Sequence, residues 1–212
     1  MAAGHIFWST LLPSVTLGFA AAVQPGPLSI YLVSRTLQNG WKRTFPAIFA
    51  PLITDGPIAV VCLFFLESIP VSFLRYIQIL GGMFILFLAF RAGWSWKKGT
   101  VTEPATRVSS RRTLLDATLV NFLNPGPYLG WSLVIGPLFL KSLNSSVFTG
   151  ILVLIGFYLT MFSVTVLIIF LFDRARDRGP RLQRALLGIS ALALAVFGAY
   201  QLITGVKAFL FI

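Results

Sequence analysis

Apolar residues fill six long runs of this chain, at about 6–34, 45–66, 71–92, 113–140, 147–172 and 182–210, parted by shorter polar connections. A helix needs ~20 mainly apolar residues to cross a bilayer, and each run meets that length. The pattern predicts an all-α polytopic membrane protein with six transmembrane helices. The first and fourth runs each carry an interruption. One is Gln24-Pro25-Gly26-Pro27 within FAAAVQPGPLSIYLV; the other is Asn124-Pro125-Gly126-Pro127 within TLVNFLNPGPYLGWSLV. Proline lacks an amide donor and clashes with the preceding turn, while glycine accepts almost any backbone angle. Hydrocarbon offers no water to a freed carbonyl, so a broken helix persists only where protein or a wet cavity covers it. Helices 1 and 4 are therefore expected to be broken. Paired breaks in corresponding halves point to a solute site near the bilayer midplane.

The connections, Arg35–Thr44, Glu67–Pro70, Gly93–Arg112, Lys141–Ser146 and Asp173–Arg181, carry the charge unevenly. Fourteen of the 17 basic residues fall on the odd-numbered connections and their edges, leaving Arg75, Lys141 and Lys207 for the other side. The positive-inside rule makes the odd connections cytoplasmic and sends both termini outward. Three spans that start outside, followed by three that start inside, form two inverted-topology three-helix repeats. The single membrane domain divides into repeat one at about 1–92, a cytoplasmic loop at about 93–112 and repeat two at about 113–212. A shift of 100 residues superimposes the two Pro-Gly-Pro elements, Tyr31 on Trp131 and Gly56 on Gly156. Trp8, Trp41, Trp94 and Trp96 fall where interfacial belts belong. The first run lacks the basic start of a cleaved signal and is read as retained.

Composition narrows the function. Of 212 residues 57% are hydrophobic and 11% charged, with mean hydropathy +0.86, which leaves no room for a separate soluble domain. The formal charge of +11 lies in the connections, where it meets anionic lipid rather than nucleic acid. Cys62 and His5 are the only cysteine and histidine, so neither a disulfide nor a nitrogen–sulfur metal site is expected, and no cofactor is called for.

Asp55 is the candidate for proton coupling, as the only acid deep within a run, in PAIFAPLITDGPIAVVCLFFL. Holding an aspartate at mid-membrane costs about 2.5–3.5 kcal/mol, so it implies a partner or a role. Pro51, Gly56 and Pro57 predict a kink or break around it. A proton and a substrate ammonium would compete for its carboxylate; the bland alternative is a structural acid satisfied by a hydroxyl. The candidate substrate-binding residues are Gln24, Pro25, Gly26, Pro27, Asp55, Asn121, Asn124, Pro125, Gly126, Pro127 and Tyr128. Half-helices starting at Leu28 and Tyr128 would turn unpaired N–H groups and a positive dipole end toward a carboxylate. Asn121, Asn124 and Tyr128 read as one helical face, with interhelical packing as the competing role for the amides. Tyr31 and Trp131 read chiefly as packing, and Thr54 carries little weight. Asp116 reads as a surface partner of Arg111 and Arg112, and Glu67 and Glu103 as loop residues. Ala191, Ala195 and Ala199 favour close helix packing, internal by default, with a homodimer interface as the sharper alternative.

With a Pro-Gly-Pro in the first span, an Asn-Pro at the mirrored place and 212 residues in six spans, the chain resembles the LysE/RhtB family of amino-acid exporters. The likeness covers essentially the whole chain. It implies a plasma (inner) membrane exporter of amino acids or similar small metabolites, driven by exchange with protons. No acid mirrors Asp55, since that position is Ile155, a departure that speaks against a mechanism built on a symmetric acidic pair. A non-transporting subunit of a larger membrane complex is the alternative from another class. An enzyme fits worst, because no nucleophile–base set or phosphate loop lies within the runs.

Overall fold

A computed structural model describes residues 2–64, 71–98 and 108–210. Glu67, Glu103, Arg107 and the connection expected at Glu67–Pro70 lie outside the described residues, as does the side chain of His5. Among the described residues every regular element is helical. In chain order they are α1 (Ala2–Val23), α2 (Pro27–Asn39), α3 (Trp41–Thr44), a 3₁₀ stretch (Phe45–Phe49), α4 (Ala50–Phe64) and α5 (Val71–Lys98). The second half holds α6 (Ser110–Phe122), α7 (Pro125–Gly130), a π-helical stretch (Trp131–Ile135), α8 (Gly136–Ser145), α9 (Val147–Asp177) and α10 (Pro180–Leu210).

Among the described residues four helices are long and apolar enough to cross a bilayer, and a fifth span arises if α1 and α2, bent by 58° at the first Pro-Gly-Pro, count as one. The run read as the fourth span is divided among α6, α7, the π-helical stretch and α8, with lengths of 13, 6, 5 and 10 residues. Breaks therefore fall at both expected places. The kink expected around Asp55 takes another form: the 3₁₀ stretch precedes α4, and α4 then continues through Pro57. The connections are shorter than the polarity pattern implies. Arg35 belongs to α2, only Gly40 separates α2 from α3, and α9 runs on to Asp177. Long basic side chains reach water from a helix that has already entered the headgroup region, so polarity marks the interface rather than the helix end. Gly40 has φ +85, a left-handed conformation that suits glycine at this turn.

Packing crosses between the halves. α1 lies along α9, α5 along α10, and α6 against α4 and the 3₁₀ stretch. Glycine permits the closest approaches. A Cβ at Gly18 would strike the Phe157 carbonyl, and one at Gly82 or Gly198 would strike the backbone of the facing helix. The α10 small-residue face is thus spent on α5, with Gly188 against Trp96 and Gly198 against Leu86, which is the internal role. Only 22% of the most apolar stretch of α9 is buried, and Leu133, Phe148, Leu159, Leu192 and Val196 point outward. Water does not tolerate so much exposed apolar surface; hydrocarbon does.

Candidate functional site

The break after α1 and the break after α6 meet on one cavity of about 260 Å³. Of the eleven candidate binding residues, Gln24, Pro25, Gly26, Pro27, Asp55, Asn121, Asn124, Gly126 and Pro127 line it; Pro125 and Tyr128 do not. Tyr128 is buried against Phe73 and Cys62 instead. The single helical face drawn through Asn121, Asn124 and Tyr128 is corrected here. α6 stops at Phe122, so Asn121 reaches the cavity from the last turn of α6 and Asn124 from the cap of α7.

The two breaks differ in how they satisfy their backbone. At the second, Pro125 and Pro127 deprive the Asn121 and Leu123 carbonyls of their usual donors. Replacements are all in place. The Asn124 N–H donates to Asn121 O at 3.2 Å, and Gln201 Nε2 of α10 donates to Leu123 O at 2.8 Å. The Tyr128 hydroxyl donates to Phe122 O at 3.0 Å, and the Gly126 N–H donates to Asn124 Oδ1 at 3.1 Å. The first break is barely bonded. Gln24 N donates to Ala20 O at 2.9 Å and the Ser29 hydroxyl to Gln24 O at 3.2 Å. Among the described residues, the carbonyls of Ala21 and Val23 and the N–H groups of Gly26, Leu28 and Ser29 make no hydrogen bond. Ala21, Gly26, Leu28 and Ser29 also line the cavity. The expectation of two equivalent half-helix ends is therefore corrected: α7 is capped by its own Asn124, starting at Pro125, while α2 starts uncapped at Pro27. An open N-terminus attracts anions, and open carbonyls attract cations.

Asp55 stands at the wall of this cavity, 6% exposed. Its Oδ2 accepts from the Tyr158 hydroxyl of α9 at 2.8 Å. Its Oδ1 lies 3.4 Å from Asn121 Nδ2 and 3.5 Å from Thr54 Oγ1. Asn121 Nδ2 also donates to Thr54 Oγ1 at 2.6 Å, and the Thr54 hydroxyl reaches the carbonyls of Ala50 and Pro51 at 3.3 Å each. The Trp131 indole lies beside the same carboxylate, yet its buried Nε1–H makes no well-aligned hydrogen bond among the described residues. Thr54 and Trp131, read as minor from the sequence, belong to the site. Tyr158 was missed altogether. The available signal was a phenol inside the most apolar run, three residues past Ile155 and hence near the position that mirrors Asp55.

A second polar cluster lies apart from the cavity. Asp116 is 7% exposed and is not a surface partner of Arg111 and Arg112, which corrects the sequence reading. Its Oδ2 accepts from Arg35 Nη2 at 3.2 Å and from the Tyr31 hydroxyl at 3.1 Å, with Arg91 Nη1 at 3.5 Å. Arg35 Nε donates to the Tyr31 hydroxyl at 3.0 Å. A guanidinium taken for loop charge thus ties α2 to α6, and the same Asp116 carboxylate draws in Arg91 of α5. No group of three or more histidine, cysteine or acidic side chains suited to a metal ion occurs among the described residues.

The family model described as LysE type translocator matches residues 19–205. The chain matches no curated protein and no solved structure.

Proposed function

The chain belongs to the LysE type translocator family, and on that premise we propose a secondary exporter that moves amino acids or similar small metabolites out of the cytoplasm in exchange for protons. The family is one of translocators rather than enzymes, and the apolar helices make this an integral multi-pass membrane protein. The observation that carries the finer reading is the convergence of both broken stretches and Asp55 on one cavity.

The chemistry follows from the groups present. A zwitterionic amino acid needs an anion for its ammonium and donors for its carboxylate. Asp55 supplies the first, helped by the open carbonyl of Ala21. The uncapped N–H groups of α2 supply the second. Proton and ammonium compete for one carboxylate, so loading solute from the cytoplasm displaces a proton, and reprotonation from outside displaces the solute. Tyr158 and Asn121 hold the carboxylate in place for either occupant. The six-span, inverted-repeat reading has support in the exchange of partners: α1 of the first half packs on α9, as α6 of the second half packs on α4, and α5 pairs with α10. Rocking of such halves about a fixed site gives alternating access. In this reading the exporter sits in the plasma membrane; the excess of lysine and arginine on the odd connections supports an orientation with those connections cytoplasmic and both termini outward.

An efflux screen of amino acids in cells lacking the gene, with Asp55→Asn alongside, tests the reading. The expected result is export of at least one amino acid by the intact protein and none coupled to the proton gradient by the variant. Export unaffected by Asp55→Asn would remove the carboxylate from the mechanism. No export of any amino acid, together with loss of a partner assembly on deletion, would favour the complex-subunit alternative.

A further inference from the structure

We infer that the cavity selects amino acids with a single cationic group and an apolar side chain, and discriminates against lysine, arginine and the acidic amino acids; this rests on the exporter reading above. Asp55 is the one ionisable side chain among the described residues of the lining. An α-ammonium at Asp55 and an α-carboxylate at the open start of α2 use up the charged contacts. The side chain then meets Ile135, Phe157, Met161 and Phe197.

Each charged class of side chain fails on a named ground. A second ammonium would be desolvated against that apolar wall with no second acid to meet it, and a cation unpaired in a membrane interior is expensive. A second carboxylate would share a small cavity with Asp55 and find no lysine or arginine, because Arg35 and Arg91 are engaged by Asp116 away from the lining. Polar uncharged side chains find Asn121 Nδ2 committed to Thr54 and Asn124 Oδ1 to the Gly126 N–H. Gln24 and the Trp131 Nε1–H are the open partners left beside a largely apolar wall, so this class is disfavoured less than the charged ones. A volume of about 260 Å³ corresponds to roughly nine waters at ~30 Å³ each. A solute of the size of leucine or phenylalanine is of that order.

The experiment is competition for counterflow in liposomes holding the purified protein, with leucine, phenylalanine, lysine and glutamate as probes at equal concentration. The expected order places leucine or phenylalanine at least about tenfold ahead of lysine and glutamate, since one uncompensated charge is worth at least 1.4 kcal/mol, a factor of ten. Lysine or glutamate competing as well as leucine, with counterflow intact, would overturn the selectivity while leaving the exporter reading in place. Absence of counterflow with all four would remove the exporter reading and the selectivity with it. A gain of function adds an independent arm. Met161→Glu puts a second acid on the wall, and the leucine-to-lysine ratio should fall at least about tenfold, again the 1.4 kcal/mol of one compensated charge. Ile135→Glu serves the same purpose from the π-helical stretch should the first variant not insert. A ratio unchanged in a folded variant would contradict the assignment of that wall to the side chain.

Discussion

The carboxylate of Asp55 is held by neighbours from three elements: Thr54 beside it, Asn121 of α6 and Tyr158 of α9. Tyr158→Phe removes the shortest of these bonds and little volume. A hydrogen bond to a charged group contributes about 1.5–3 kcal/mol, so solute affinity should fall roughly tenfold to a hundredfold with the protein still folded. Counterflow kinetics with wild-type affinity in Tyr158→Phe would reduce the hydroxyl to a spectator. Gly26 offers a cleaner steric test. Its φ of −138 is open to any residue, and the nearest atom to an added Cβ is Gln24 O at 4.0 Å. Leucine there should fit the fold and fill the cavity, abolishing solute binding without lowering thermal stability; unaltered binding would place the solute elsewhere. Asp55 and both Pro-Gly-Pro elements were legible in the sequence because a lone acid or a proline inside an apolar run violates a local rule. Tyr158 and Thr54 violate none, and only the packing of α4, α6 and α9 gives them a partner.

Among the elements, the two breaks look alike in sequence and behave differently in space. The second is bonded by Gln201 from α10, seventy-eight residues away, and by Tyr128 and Asn124 from α7. Such long-range satisfaction leaves no mark in a linear pattern, so symmetry was the natural expectation. Gln201→Leu strands the Leu123 carbonyl without its donor. A buried acceptor left unmade costs about 1–3 kcal/mol, and this loss should appear as a lower Tm of the purified protein. An unchanged Tm would mean that another group serves the carbonyl. The ionic cluster of α2, α5 and α6 is the stronger tie. Asp116→Asn leaves Arg35 and Arg91 facing each other without a counter-ion, and breaking a buried pair from one side costs about 3–5 kcal/mol, toward the lower end here because Arg91 is partly exposed. The sequence placed Asp116 with its nearest neighbours along the chain, Arg111 and Arg112; the fold brought Arg35 from 81 residues away.

For the whole molecule, apolar runs gave the helices and the charge pattern gave a consistent alternation, while helix ends were set too early by basic residues that lie within the helices. The crossing of α1 onto α9 and of α6 onto α4 places both breaks and the acid on one wall, which neither half can do alone. That convergence makes one prediction about the assembled protein: solute and proton cannot occupy Asp55 together. The direct measurement is proton release when a saturating transported amino acid is added to purified protein in weakly buffered solution. Release that follows the binding isotherm and disappears in Asp55→Asn is the expected result. Binding with no release, or equal release from the variant, would contradict competition at this carboxylate.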